Sequence, residues 1–235
     1  PRLIRDLKVI SPWKSLRGLG IKNPYLAKIM DRYATYSGSD PRVAPAVLST
    51  IAFVEEAFGA WHITGGIGKL SEAVYQRCLD LGVSFEFNTP VEKINHTKRR
   101  VTGVTLKGGR VVEASIVVAN ADASLVYNSL ISTKLRKTKG ARKRIARSTQ
   151  SLAGFSLLLG LRPDESATPI NHHTILFPED YDAEFDSIFT TRTPVKNPTI
   201  YLCAPLDESM VKESGAQSLF VLVNAPVHDA TGATG

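Results

Sequence analysis

A glycine turn ahead of a helix pattern is the first stretch whose residue types could bind a ligand. Gly65-Gly66-Ile67-Gly68 opens a run in which apolar residues recur at three- and four-residue steps as far as Leu81. Backbone N–H groups at such a junction can bind phosphate. A P-loop is excluded, because Ile63 stands where its first glycine belongs and Leu70 follows Lys69. The dinucleotide pattern Gly-x-Gly-x-x-Gly is also absent, so the spacing alone favours a structural turn.

Asp31, Arg32, Tyr33 and Tyr36 form the best candidate for a reactive polar cluster. Carboxylate, guanidinium and phenol groups within six residues could supply acid–base or electrostatic catalysis. The alternative is that Asp31 and Arg32 form a surface ion pair that only fixes a turn. Both interpretations remain open from the sequence.

The adjacent pair His172-His173 suggests a metal site, but the expected geometry argues against one. Successive side chains of a strand point to opposite faces, so the two rings could not readily bind one ion. No third ligand follows at short spacing. We therefore predict no metal site here and expect a structural or binding role.

The net charge of +7 comes from one basic segment, residues 134–147. Its eight Lys and Arg residues account for the excess, because removing them from 29 leaves 21 basic against 22 acidic residues. The segment has three interpretations, given in order of preference: a solvated helix face, a site that contacts an anionic membrane surface, or a site that binds nucleic acid. Aromatic residues and recognition motifs typical of nucleic-acid binding are missing from the segment, so no nucleic acid is expected as a partner.

Composition places the chain among globular proteins, with 43% hydrophobic residues. No apolar run approaches the ~20 residues of a membrane-spanning helix. Cys78 and Cys203 lie in patterns that predict buried, reduced thiols of an intracellular protein.

Hydrophobic periodicity predicts the elements that position these residues. Helices are expected at 26–33, 44–58, 67–81 and 123–131, with Gly82 and Asp122 as caps, and a short helix or loop at 178–189. The segment 1–30 shows only broken helical patches. The helix over 44–58 is apolar on several sides, which predicts burial or the lining of a cleft. Alternation and short apolar runs predict strands at 83–87, 91–94, 101–106, 110–113, 116–119, 152–161, 174–177, 199–205 and 218–226.

An ordered set of short motifs carries a family resemblance over almost the whole chain. The chain resembles the carotenoid (phytoene-type) desaturases of bacteria and fungi, which are FAD-dependent, amine-oxidase-like enzymes. The matching segments are residues 32–38, 44–46, 56–61 with Gly65-Gly66, 117–122, 171–175 and 225–227. Members of that family are about twice as long, so the resemblance implies an interior fragment without the N-terminal dinucleotide-binding turn. Such a fragment is expected to be inactive and to bind FAD poorly.

The resemblance also implies roles for residues. Desaturation of a C–C bond by a flavin removes a hydride from one carbon and a proton from its neighbour. Asp31, Arg32 and Tyr36 are the expected catalytic residues. Substrate contacts are expected from Tyr33, Phe53, Phe58, Trp61, His172 and His173, and FAD contacts from Gly65, Gly66, Val91, Asn120, Ala121 and Asp122.

The patterns predict an α/β (α+β) chain. The resemblance implies that part of a glutathione-reductase-like FAD-binding domain (63–124) is inserted into a substrate domain (1–62 and 125–235). The substrate domain is expected to combine an antiparallel sheet with helices. The expected partners are a long isoprenoid or carotenoid and an anionic membrane surface, with a cytoplasmic, peripheral-membrane location. The rivals are a flavin amine oxidase, a carotenoid isomerase or saturase, and a non-catalytic lipid- or nucleic-acid-binding module that uses residues 134–147.

Overall fold

The computed structural model describes residues 15–98, 100–162, 170–212 and 215–228. The chain divides into two compact units: Pro1–Tyr75 together with Gln150–Gly235, and Gln76–Thr149. The helical patches predicted within 1–30 lie partly outside the described residues. The predicted domain boundaries at 62 and 124 remain a prediction.

The first unit contains a four-stranded antiparallel sheet in the order β4-β7-β6-β5. All four of its predicted strands are confirmed: β4 Ala153–Leu161, β5 His173–Leu176, β6 Ile200–Cys203 and β7 Gln217–Ala225. The long pair β4–β7 runs from Ala153 opposite Ala225 to Leu161 opposite Gln217. His173 lies directly opposite Cys203 in the β5–β6 ladder.

Local sequence explains the start of the first helix of this unit, α1 Pro24–Arg32. The Asn23 side chain accepts hydrogen bonds from the N–H groups of Tyr25 and Leu26, at 3.0 and 3.1 Å, and Pro24 occupies the first turn, where no N–H is needed. A 3-10 helix, Tyr33–Ser37, continues from α1 to Gly38. The other helical elements that begin in this unit are 3-10 helices Arg17–Leu19, Ala46–Leu48 and Glu208–Met210, helices α2 Ser49–Phe58, α3 Gly68–Asp80 and α6 Asp182–Phe185, and π-helix Asp186–Thr191.

Helix α2 is more exposed than its apolar sequence predicts. None of its residues is buried, and Phe53 and Phe58 are 64% and 69% exposed. The predicted burial is therefore wrong for α2, and the alternative, that this helix lines a cleft, stays a prediction. Hydrophobic residues on all sides of a helix indicate that it packs against apolar surfaces. They do not indicate which part of the protein, or which partner, supplies those surfaces.

In the second unit, Gly82 adopts the left-handed conformation that follows α3, with φ of 79°. The Val83 N–H donates to the carbonyl of Cys78, and the Gly82 N–H donates to the carbonyl of Leu79. This pair of hydrogen bonds is a Schellman motif, so the predicted cap is confirmed.

Three strands of the second unit form an antiparallel meander in the order β1-β2-β3. They are β1 Val91–His96, β2 Val101–Leu106 and β3 Val111–Glu113, and Gly108-Gly109 makes the predicted hairpin. Asp122 caps the helical segment formed by α4 Ala123–Leu125 and π-helix Val126–Leu130, as predicted. The 3-10 helix Arg136–Thr138 and α5 Lys139–Ile145 carry the basic segment.

Two predicted strands of this unit are wrong. Residues 83–87 and 116–119 form no ladder, and Ile116 and Val118 are 79% and 88% exposed. A β-strand needs an adjacent strand to which its backbone is hydrogen-bonded, and neither segment has such a strand within the described residues. The alternation still acts locally, because the rings of Phe85 and Phe87 stack with centroids 6.0 Å apart.

The mixture of helices and antiparallel sheets confirms the predicted α+β class. No helix within the described ranges is both long enough and apolar enough to cross a bilayer.

Candidate active site

A carboxylate that accepts from two stacked phenols occupies the centre of the predicted reactive cluster. The hydroxyl groups of Tyr33 and Tyr36 donate to Glu55 at 2.6 and 2.9 Å, and the two rings stack with centroids 5.8 Å apart. Burial and the hydrogen bond to Glu55 raise the pKa of each phenol. Both tyrosines therefore stay protonated near neutral pH and act as hydrogen-bond donors.

Arg32 ends α1 beside this cluster and holds a cation partly out of solvent. Its Nη1 and the Tyr181 hydroxyl are both buried without a hydrogen bond of good geometry to the described residues, and Arg32 lies close enough to Tyr181 to oppose the rise in the pKa of that phenol. Burial is the main cause that raises the pKa of Tyr181. Arg32 and Tyr36 line one cavity of about 430 Å³, together with Leu152, Gly154, Leu222 and Asn224 among others.

Asp31 lies in different surroundings from Arg32. It is 5% exposed and accepts from Arg17 Nη2 and Nε at 2.5 and 3.1 Å, while Arg17 also donates to Asp182. Burial raises the pKa of Asp31, and the hydrogen bond from Arg17 opposes that shift. Asp31 lines a second cavity of about 380 Å³ with Arg17 and Tyr181. The alternative that Asp31 and Arg32 form a surface ion pair is therefore wrong, because consecutive helical residues point in different directions and Asp31 pairs with Arg17.

The two adjacent histidines face each other, contrary to the prediction. The rings of His172 and His173 stack with centroids 4.2 Å apart and an interplanar angle of 18°. The alternation of side chains fails because His172 precedes the first residue of β5, where strand geometry begins. Burial, followed by the neighbouring His173 and His62, lowers the pKa of His172.

His62 and Tyr201 extend this row of rings at its two ends. The His62 ring meets the His172 ring edge to face at 5.4 Å, and His62 Nε2 lies 2.8 Å from Asp207 Oδ2. At the other end, His173 Nδ1 lies 2.8 Å from the Tyr201 hydroxyl. Burial, with a contribution from the hydrogen bond to Cys203, raises the pKa of Tyr201 to about 12.

The predicted aromatic substrate contacts are exposed. Trp61 is 87% exposed, and its Nε1 donates to the Phe58 carbonyl at 3.2 Å. Phe53 and Phe58 meet edge to face with centroids 6.4 Å apart. Exposed aromatic side chains of this size are typical of surfaces that contact an apolar partner.

The residues expected at the cofactor fall into both units. Gly65 and Gly66 make a turn in which the Gly65 N–H donates to Asp207 at 2.8 Å and the Gly66 N–H donates to Ile63. These two amides are already used within the protein. The hydrogen bonds from Ser209, His62 and Gly65 hold the pKa of Asp207 well below its usual range.

In the second unit, Val91 begins β1 opposite Leu106, and Asp122 accepts from the Ser124 N–H at 2.8 Å. The N–H groups of Asn120 and Ala121 make no hydrogen bond with the described part of the chain. Ala121 also lines an apolar cavity of about 310 Å³, whose walls include Ile94, Val117, Val126 and Ile131.

Sequence reasoning missed four polar residues of this region: Glu55, Glu184, Tyr201 and Asp207. Glu55 is a carboxylate within an otherwise apolar helix, and that was the available signal. Glu184 is 1% exposed and accepts from the Thr199 N–H and Asn224 Nδ2 at 2.7 and 2.8 Å. Each of Glu184, Tyr201 and Asp207 also has a partner at least 15 residues away in sequence, which no local pattern marks.

Comparison with known proteins gives the class to which this fold and site belong. The family model for flavin containing amine oxidoreductases matches residues 24–155, which is more than half of the chain. The chain belongs to the flavin containing amine oxidoreductase family.

Several curated relatives are carotenoid desaturases, which confirms the resemblance predicted from the sequence. The chain is 37% identical to the zeta-carotene-forming phytoene desaturase of Myxococcus xanthus, over 81% of this chain and 36% of that protein. It is 33% identical to the 1-hydroxycarotenoid 3,4-desaturase of a Flavobacterium species, over 87% of this chain and 40% of that protein. The chain spans about two fifths of the length of the curated relatives it matches.

A solved structure shows the same fold. An oxidoreductase from Methanosarcina mazei superposes with a TM-score of 0.66 at 18% identity, covering 94% of this chain and 50% of that protein.

Proposed function

We propose that this chain is part of an FAD-dependent oxidoreductase that desaturates a long isoprenoid by hydride transfer to the flavin and loss of a proton. The observation that carries the proposal is 33–37% identity to carotenoid desaturases over more than four fifths of the chain. The geometry of the described residues supports it at three places: an apolar cavity, a polar cluster and an apolar strand face.

The cavity of the second unit fits part of a flavin cofactor. Its apolar walls suit a ring system, and the free N–H groups of Asn120 and Ala121 suit polar ring or phosphate oxygens. We propose that Val91 and Asp122 contribute through backbone groups near the same segment. Gly65 and Gly66 shape their turn, since their own amides are engaged elsewhere.

A bound flavin supplies the hydride acceptor. We assign Arg32 and Tyr36, which share one cavity, as the residues nearest the reacting carbons. The cation of Arg32 suits the group that gains electrons, because a positive charge stabilises developing negative charge. The Tyr36 hydroxyl, bonded to Glu55, offers a route for the lost proton: the phenol oxygen accepts it while its own proton passes to the carboxylate. Asp31 acts as a positioning residue that holds the end of α1 through Arg17.

The β4 strand offers a wall for a flat polyene. Phe155, Leu157 and Leu159 lie on one face, because alternate residues share a side, and all three are at least 40% exposed. Phe53, Phe58 and Trp61 supply further exposed apolar area. A polyene has no hydrogen-bonding groups along its length, so such surfaces are the chemistry that would hold it.

Contact with an anionic membrane surface is the second part of the proposal. Seven of the eight basic residues of 134–147 are exposed and form no ion pair with any described residue. Arg142 is the exception, because it donates to the carbonyls of Tyr127, Thr133 and Leu135 and so holds the segment together. The two large apolar residues of the segment, Leu135 and Ile145, are half-buried. The attraction of the segment to an anionic membrane therefore depends on charge, and each cation contributes about 1 kcal/mol.

Vesicle flotation tests the membrane part. The protein should float with anionic vesicles at low salt and stay behind with neutral ones, and a Lys143→Glu/Arg144→Glu variant should bind less. Salt-sensitive binding to DNA without binding to anionic vesicles would favour the nucleic-acid rival.

Product analysis tests the enzymatic part. Full-length protein incubated with phytoene should yield products with additional conjugated double bonds, whereas incubation with amines should release no aldehyde. The opposite pattern would assign the chain to an amine oxidase. An Arg32→Met variant should lose most desaturation, while Arg77→Met, which removes an exposed cation from α3, should keep it.

A further inference from the structure

Three donor atoms of the kinds that bind transition metals meet at one end of the β5–β6 ladder. One ring nitrogen from each of His172 and His173 and the Cys203 sulfur all lie within 4.8 Å of one another. Two imidazoles and a thiol form a donor set typical of zinc sites, where three protein ligands leave a fourth position for water or another ligand.

The backbone holds these side chains in place before any ion binds. His173 and Cys203 are direct partners across the antiparallel ladder, so their side chains project from the same face. The His172 carbonyl accepts from the Ala204 N–H at 2.9 Å, which fixes the residue ahead of the strand. Preformed geometry lowers the cost of ordering ligands around a metal.

A hydrogen bond behind the cluster orients one of the imidazoles. The Tyr201 hydroxyl lies 2.8 Å from His173 Nδ1, which leaves Nε2 of that ring free to bind an ion. Ligand histidines in metalloproteins commonly donate a hydrogen bond from their second ring nitrogen to an oxygen acceptor, which fixes the orientation of the ring. The exposed edge of His173 gives an ion access from solvent.

We propose that His172, His173 and Cys203 form a binding site for one borderline-soft divalent cation of the Zn²⁺ class. The thiol releases its proton to solvent as the metal–sulfur bond forms, and both imidazoles bind in the neutral form. A thiolate and two imidazoles select against Mg²⁺ and Ca²⁺, which prefer oxygen ligands. The site lies in the first unit and does not depend on the proposed desaturation.

Cobalt titration of the 235-residue chain tests the site, since Co²⁺ takes the place of Zn²⁺ and thiolate ligation gives a charge-transfer absorption. The wild-type chain should bind one Co²⁺ per chain with that absorption, and Zn²⁺ should displace it. Mg²⁺ should not. The chain has only two cysteines, so Cys203→Ser has a matched control in Cys78→Ser.

Cys203→Ser should abolish the charge-transfer absorption, and His173→Gln should weaken Co²⁺ binding about tenfold or more, by analogy with the effects of altered metal environments. Cys78→Ser and His96→Gln should bind as the wild type does. His173 is exposed, so its variant should fold even where Cys203→Ser does not. Failure of the wild-type chain to bind, a band that survives in Cys203→Ser, equal binding by His173→Gln, or a band lost in Cys78→Ser would each overturn the proposal.

Discussion

Replacing Glu184 with alanine should lower the free energy of unfolding more than replacing any exposed Asp or Glu with alanine. The Glu184 carboxylate is 1% exposed and accepts from the Thr199 N–H and Asn224 Nδ2 at 2.7 and 2.8 Å. Thr199 and Asn224 are themselves 0% and 4% exposed. No solvent would therefore replace the lost acceptor for either donor.

The magnitude follows from those two donors. Each buried donor left without an acceptor costs about 1–3 kcal/mol, so Glu184→Ala should lower the free energy of unfolding by about 2–6 kcal/mol. Glu184→Gln keeps the shape and one acceptor oxygen. Only one donor then lacks an acceptor, so the expected cost is about 1–3 kcal/mol.

Urea unfolding followed by circular dichroism measures both variants. Glu179→Ala is the matched control, because Glu179 is exposed and should change stability by less than about 0.5 kcal/mol. Equal effects for Glu184→Ala and Glu179→Ala would refute the reasoning. A glutamine variant as unstable as the alanine variant would show that charge matters more than the two hydrogen bonds.

Three other perturbations test contacts around the site. Glu55→Gln should lower the raised phenol pKa of Tyr33 toward its ordinary value of about 10, measured by ultraviolet difference titration; an unchanged pKa would leave burial as the only cause. The lowered pKa of Asp207 stabilises the folded chain above about pH 4, and this stability is lost as the pH falls. The melting temperature of Asp207→Asn should therefore fall less on acidification than that of the wild type, and parallel plots of melting temperature against pH would contradict this. Gly38→Ala should cost about 1–3 kcal/mol in urea unfolding, because φ is +62° and the added methyl would lie 2.5 Å from a neighbouring carbon. Gly140→Ala, in open helical surroundings, is its control and should be neutral or stabilising.

Local rules predicted most of the elements. Short apolar runs predicted the four strands of the larger sheet, a double glycine predicted the β2–β3 hairpin, and Gly82 and Asp122 predicted their helix caps. These features depend on interactions between residues a few positions apart, so local sequence patterns predict them.

Most of the failures involve partners distant in sequence. Nothing near Asp31 indicates that Arg17 rather than Arg32 would pair with it, and nothing near His173 indicates that Cys203 would lie opposite. Residues 83–87 have the alternation of a strand, but alternation cannot supply the neighbouring strand that a ladder requires. The roles expected for Tyr33 and Tyr36 stay predictions, and the carboxylate on α2 that the two tyrosines share was found only from the structure.

Anaerobic mixing of the full-length, flavin-loaded protein with phytoene tests the central proposal most directly. The oxidised flavin absorption should bleach as a product with additional conjugated double bonds forms, in equal amounts, and amines should cause no bleaching. A flavin that phytoene leaves oxidised while an amine reduces it would contradict the account.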